Sequence, residues 1–199
     1  MSKFDSKSLL AKLMATENLY VEQANVPTAS FDVLNRILTV PILDSNLSGD
    51  LYDLFIGHEV GHALWTEVEG MKKAKSDKVN MSVLNVVEDS RIERKIKTKY
   101  PGIKSSFVKG YSELFEQNFF ETEGKELSQY NFIDKVNLHC KIGASLALPF
   151  DDEEKMLLDE VESTETFEDS VEVTRKICEY MKDKLEEIEK EEKKVVGVN

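Results

Sequence analysis

Long hydrophobic runs, cysteine, histidine and basic residues are all scarce in this sequence. No run of about 18 apolar residues occurs, so no transmembrane helix is expected. The opening stretch Met1-Ser2-Lys3-Phe4-Asp5 lacks the apolar segment of a signal peptide. Two cysteines, Cys140 and Cys178, are too few and too far apart for a disulfide framework and fit reduced thiols in a cytoplasm. The absence of C-x-x-C argues against a structural zinc built on such pairs. With 26 Lys and Arg against 38 Asp and Glu, the net charge is −12, so a phosphate-binding surface is not expected and nucleic acid is excluded as a partner. No internal repeat is evident.

What remains is an ordinary core-forming composition, 41% hydrophobic and 32% charged over 199 residues. We read one domain over residues 1–150 and an acidic helical arm over 151–199. The class expected is α+β, mainly helical, with a small antiparallel sheet ahead of the central helix.

That helix carries Gly57-His58-Glu59-Val60-Gly61-His62-Ala63-Leu64-Trp65, an H-E-x-x-H pattern holding two of the three histidines in the chain. Residues four apart on a helix share a face, so both imidazoles leave the same side one turn apart. Two neutral ring nitrogens so placed reach one Zn²⁺ at about 2.0–2.1 Å. Glu59, one step round the helix, stands beside the ion and takes a proton from a water. The competing reading is a chance pair of core histidines.

Before this helix, Ser6 to Thr16 has Leu9, Leu10, Leu13 and Met14 at helical spacing. Leu19 to Ala24, Thr28 to Val33 and Arg36 to Val40 read as strands, with Leu34-Asn35 as a tight turn and Pro27 and Pro41 marking edges. An edge strand near the metal offers backbone groups to an extended peptide; a plain supporting hairpin is the other reading. Ser48-Gly49-Asp50 supplies the cap of the central helix, expected to end between Glu67 and Gly70. Met71 to Asn80, rich in lysine, reads as a solvated loop, with a mobile lid over the site as the other reading.

Met81 to Lys97 is a second strong helix with Glu88, Asp89 and Glu93 among apolar neighbours. Buried acids need a partner, and a cation is one. A carboxylate from this helix completes two histidines and one oxygen ligand, with an open fourth position. Glu88 and Asp89 are about 100° apart on the helix, so one of them ligates and the other is free to orient an imidazole. Pairing with Arg91, Arg94 or Lys95 is the alternative for either acid.

Tyr100-Pro101-Gly102 ends that helix, and Ser105 to Phe120 and Asn131 to Ile142 form two more. His139 has three readings: a hydrogen-bonded core histidine, a catalytic stabiliser of an oxyanion, or a third zinc ligand. Beyond Asp151, one short and one long charged helix read as a packing arm without chemistry.

HEVGHALWT followed by LNVVEDSRIERKIKTKYPG closely resembles the metallopeptidase-like region of large tailed-phage proteins, and TASFDVLNRILTVPIL and NFIDKVNLHCKIG are similar to the same group. Those regions usually continue into a von Willebrand factor A domain; residues 1–199 contain none, and the expectation is either an arm that leads into one or a stand-alone version. They are distantly similar to cobalt-chelatase-type proteins. The resemblance implies a zincin-like fold, with His58 and His62 as ligands, Glu59 as base and an acid of Glu88-Asp89 as third ligand. Trp65 and Val68 stand where metzincins have glycine and histidine, so a gluzincin-like arrangement fits better.

Two functions follow as expectations. One is a zinc-dependent endopeptidase of phage origin, acting on a protein or peptide in the host cytoplasm. The other is a non-catalytic, zinc-containing binding module that engages a host or viral protein.

Overall fold

The computed structural model describes residues 3–16, 19–42, 48–143 and 146–196. Its architecture is mainly helical with one small three-stranded sheet. Helix α1 (Lys3–Ala15) docks its small face, Ala11 and Ala15 with Met14, into the same core as α2. Leu9 and Leu13 of the expected stripe are exposed, at 48% and 66%. The alanines win the inward face because they let the helix approach closely.

Strands β1 (Tyr20–Ala24), β2 (Ser30–Asp32) and β3 (Ile37–Pro41) lie in the order β1-β3-β2. Only β2 and β3 are antiparallel; β1 runs parallel to β3. The sheet is therefore mixed, not antiparallel as expected. Alternation in sequence identifies a strand but not its neighbour, and here the third strand inserts between the first two. Pro41 closes the central strand at its last residue, where a missing N–H interrupts little. The turn is longer than two residues. Asp32 Oδ1 accepts from the backbone N–H groups of Leu34 and Asn35, both at 2.9 Å. Arg36, not Asn35, takes the positive φ of 57°.

Helix α2 (Gly49–Trp65) starts at Ser48, whose hydroxyl accepts from Leu51 N–H at 2.9 Å. It is buried along most of its length through Tyr52, Leu54, Ile56 and Val60. Burying Leu54, Ile56 and Val60 contributes about 1.5–3 kcal/mol each, which is ample to hold polar groups at fixed positions on the same rod. Gly61 lies so close to the next long helix that a Cβ there meets Ile92 Cδ1 at 2.8 Å.

The lysine-rich stretch is not a loop. Val68–Ser76 is helix α3, which buries Ala74 beside Val79, Leu84, Phe167 and Val171. Lysine is a good helix former and leaves its ammonium outside, so a charged segment with one buried face folds once a neighbour covers that face.

Helix α4 (Met81–Lys99) is capped by Asn80 and packs against α2 and the later helices. Helices α5 (Lys104–Glu116) and α6 (Phe132–Ile142) follow. The segment read as an arm forms α7 (Asp152–Ser163), opened by an Asp151–Glu154 capping box, and α8 (Phe167–Val196). Leu157, Leu158, Val161, Val173 and Ile177 share one buried cluster with Val83 and Val87 of α4 and with Phe132, Ile133 and Val136 of α6. No helix among the described residues is long and apolar enough to cross a membrane.

Candidate metal centre

Helices α2 and α4 face each other across the site. His58 meets Glu93, His62 meets Asp89, and Thr66 meets Glu88. The numbers rise on one helix as they fall on the other, so the two run antiparallel. On α2 the three residues are one turn apart. On α4 Glu93 and Asp89 are one turn apart, and Glu88 is the neighbour of Asp89, about 100° round the helix. Three polar contacts are thus set between two otherwise apolar rods.

The middle rung is the centre. His58 Nε2 lies 3.5 Å and His62 Nε2 3.2 Å from the same oxygen, Asp89 Oδ1. The two rings stand edge to face, with centroids 5.0 Å apart. One ligand atom from each of His58, His62 and Asp89 falls within 4.8 Å of the others.

The outer rungs fix the imidazole tautomers. His58 Nδ1 is 3.0 Å from Glu93 Oε1, a carboxylate oxygen that only accepts, so Nδ1 carries the proton. Thr66 Oγ1 donates to Glu88 Oε1 at 2.6 Å. That hydroxyl therefore accepts from His62 Nδ1 at 2.9 Å, and His62 is also protonated on Nδ1. In neutral rings both Nε2 lone pairs then face Asp89 Oδ1, which is buried and, among the described residues, has no hydrogen-bond partner. Three lone pairs converging on one buried point are mutually repulsive. A cation relieves that repulsion, and two imidazoles with one carboxylate suit a divalent zinc-type ion.

The electrostatics agree. Burial alone pushes the His58 imidazole down, but Asp89, Glu93 and Glu59 outweigh it and raise its pKa to about 9. The carboxylates around His58 thus favour positive charge at this point. Asp89 and Glu93 resist burial's upward push and stay below the usual carboxylate range, Asp89 chiefly through His58 and Lys141, Glu93 chiefly through its bond to His58. Glu59 goes the other way: burial raises it, and His58 and His62 offset that only in part. Lys141 stays an ammonium against burial because Asp89 and Glu93 face it. Burial and the adjacent Glu93 carboxylate hold the Tyr111 phenol well above its ordinary value.

Two cavities flank the triad, and both are lined by His58, Glu59 and Ala29. One of about 370 Å³ runs past β2 residues Ser30 and Phe31 toward Met71 and Leu84. The other, about 160 Å³, is walled by Phe55, Tyr111, Phe120 and Lys141. Glu59 therefore stands at the junction of a cleft whose outer wall is the edge strand of the sheet.

Of the two acids left open by the sequence, the structure brings Asp89 to the histidines. Glu88 has its oxygens occupied: Arg91 donates to both at 2.9 and 2.7 Å, and Thr66 and Ser170 donate one each. It supports His62 through Thr66 and is not offered to an ion. His139 is not brought to the site. Its Nε2 lies 3.3 Å from Glu162 on α7, its ring packs edge-on against Phe150, and it lines neither flanking cavity. Residues two apart on a helix point about 200° apart, so Lys141 faces the triad and His139 faces away. Neither an oxyanion role nor a ligand role fits that position.

Sequence reading left four residues without a role. Glu93 is four after Asp89 and Thr66 four after His62, so extending the same i, i+4 step by one turn finds both. Tyr111, whose hydroxyl donates to Glu93, and Lys141 come from other helices and leave no spacing signal.

Comparison of the chain with protein-family models, with curated proteins and with solved structures gives no match.

Proposed function

We propose that the protein is a zinc-dependent metallopeptidase in which His58, His62 and Asp89 would hold the ion. The observation that carries this reading is the buried, unpartnered Oδ1 of Asp89 facing two Nε2 atoms whose tautomers are already set. A bound zinc would supply Lewis acidity, polarising a carbonyl and acidifying a water.

The chain's own residues supply the rest. Glu59 is the base. Its raised carboxyl, at the junction of the two cavities, is suited to take a proton from water in the cleft and pass it to the departing amine. The products are then one carboxylate and one amine, with water consumed. Among the described residues strand β2 pairs only with β3, so its other edge offers backbone groups along the cleft wall. An extended peptide lying along that edge is held by main-chain hydrogen bonds and crosses Glu59. The apolar walls, Phe31 and Leu84 on one side and Phe55 and Phe120 on the other, limit competing water. The substrate class is thus a protein or peptide. The likeness of the motif stretches to tailed-phage regions supports a host-cytoplasm setting, and the unpaired Cys140 and Cys178 are compatible with a reducing compartment.

The test is Glu59→Gln. The variant retains one zinc per chain and loses cleavage of a denatured-protein or peptide-library substrate that the parent cleaves. Undiminished cleavage by the variant overturns the mechanism.

A further inference from the structure

Lys141 sits in the last turn of α6, its side chain only 16% exposed, with its ammonium 3.2 Å from Asp89 Oδ2. Asn85 Nδ2 approaches the same oxygen at 3.4 Å from one turn back on α4. Among the described residues Asp89 Oδ1 meets only the two imidazole Nε2 atoms, at 3.5 and 3.2 Å, and accepts no well-formed hydrogen bond. The two oxygens of one buried carboxylate are therefore divided: Oδ2 belongs to the protein, and Oδ1 faces the imidazoles. The other buried lysine pair is built differently. Lys135 binds both oxygens of Glu154, at 2.5 and 2.6 Å, and leaves neither oxygen without a donor.

Lys141 is also tied to the far side of the centre. Its ammonium lies 5.9 Å from the Tyr111 ring centre, Tyr111 donates to Glu93, and Glu93 accepts from His58. The contacts link Lys141 to both His58 and Asp89, so the lysine is placed between the carboxylate ligand and the group that orients one imidazole.

We infer that Lys141 is a positioning residue that makes Asp89 a one-oxygen donor, restricting the site to a low-coordinate, nitrogen-preferring divalent ion with a place left for solvent. The inference rests on the reading of His58, His62 and Asp89 as a metal site. A bidentate carboxylate requires Oδ2 to leave an ammonium inside the protein, where a charge-assisted hydrogen bond is strong. Calcium takes many oxygens, often bidentate, and finds too few here. A zinc-type ion keeps three protein ligands and an open corner.

The experiment uses the full chain stripped by chelator and reloaded with Co²⁺, whose visible absorption is intense when four-coordinate and weak when five- or six-coordinate. The parent is expected to bind one Co²⁺ with intense bands. Lys141→Met is expected to bind one Co²⁺ with those bands lost, and Lys141→Arg to recover them. Lys141→Gln carries the same expectation as Lys141→Met if the latter does not fold. Intense bands in either folded neutral variant, or their loss in a folded Lys141→Arg, overturn the inference while leaving the metal site standing. A parent chain that binds no Co²⁺ overturns the metal reading itself.

Discussion

His58 Nδ1 lies 3.0 Å from Glu93 Oε1, and that one contact decides which nitrogen of the ring is offered to the centre of the site. The ring has two tautomers of similar energy in water. A buried carboxylate accepting at Nδ1 selects one, aims Nε2 and makes it more basic. Outer partners of this kind are worth roughly 10–100-fold in metal affinity. Glu93→Ala is therefore expected to weaken zinc binding by about that factor while leaving the stoichiometry at one. Competition against a chromophoric chelator reads the change. An unaltered affinity means that the carboxylate does not set the ring.

Removing the ion tests the centre more directly. A ligand that binds only the folded state stabilises it by about 2.7 kcal/mol when free ligand is 100 times the dissociation constant. Zinc at such an excess is expected to raise the melting temperature of the parent, and chelator to reverse the rise. Asp89→Asn removes the charged oxygen that the imidazoles face, so its melting curve is expected to be the same with zinc and with chelator. A full zinc-dependent rise in that variant assigns the metal elsewhere.

The central helix and its two histidines are legible because one period governs them: His58 and His62 follow from 3.6 residues per turn, and the acids of α4 are legible only as a group facing them. The choice between Glu88 and Asp89 was not legible. It is made by Arg91 and by Ser170, which lies on α8 and reaches Glu88 at 3.0 Å. A residue 82 positions away in the sequence leaves no local mark. The same reason hides Lys141, and it hides the insertion of β3 between β1 and β2. Helix α3 was missed because its lysines gave it a loop-like polarity, and only the cover over Ala74 makes it amphipathic. His139 was overweighted for being a histidine; its partner Glu162 belongs to a helix that the sequence reading had set apart as an arm.

Glu88 distinguishes a supporting acid from a ligating one. It forms a buried, two-pronged pair with Arg91, whose remaining guanidinium hydrogens reach the carbonyls of Trp65 and Glu165. Removing one partner of a buried pair leaves the other charge uncompensated and costs about 3–5 kcal/mol. Arg91→Met is expected to lose stability in that range by urea denaturation, because it strands Glu88 and frees two carbonyls. Glu88→Gln is expected to destabilise as well, yet still bind one zinc per chain. Loss of stoichiometric zinc from folded Glu88→Gln moves the ligand role from Asp89 to Glu88.

Gly61 precedes His62 on α2 and lies against Ile92 of α4. A Cβ at this position falls 2.8 Å from Ile92 Cδ1 and 3.4 Å from the Ile92 carbonyl oxygen. The side-chain tip is able to move and the oxygen is at ordinary contact distance, but Ile92 Cβ, 3.3 Å away, is fixed by the α4 backbone and has to give by a few tenths of an ångström. Gly61→Ala therefore forces the helices apart, and overpacking of this kind costs about 1–3 kcal/mol. Because the rungs His58–Glu93 and His62–Asp89 span the same gap, the separation also loosens the metal site. The expected result is a fall in both urea midpoint and zinc affinity. Ile92→Val in the same chain removes the clashing Cδ1 and is expected to restore part of each. A Gly61→Ala protein with parental stability and affinity shows that the interhelical gap has slack, and that the spacing of the rungs does not depend on the missing methyl.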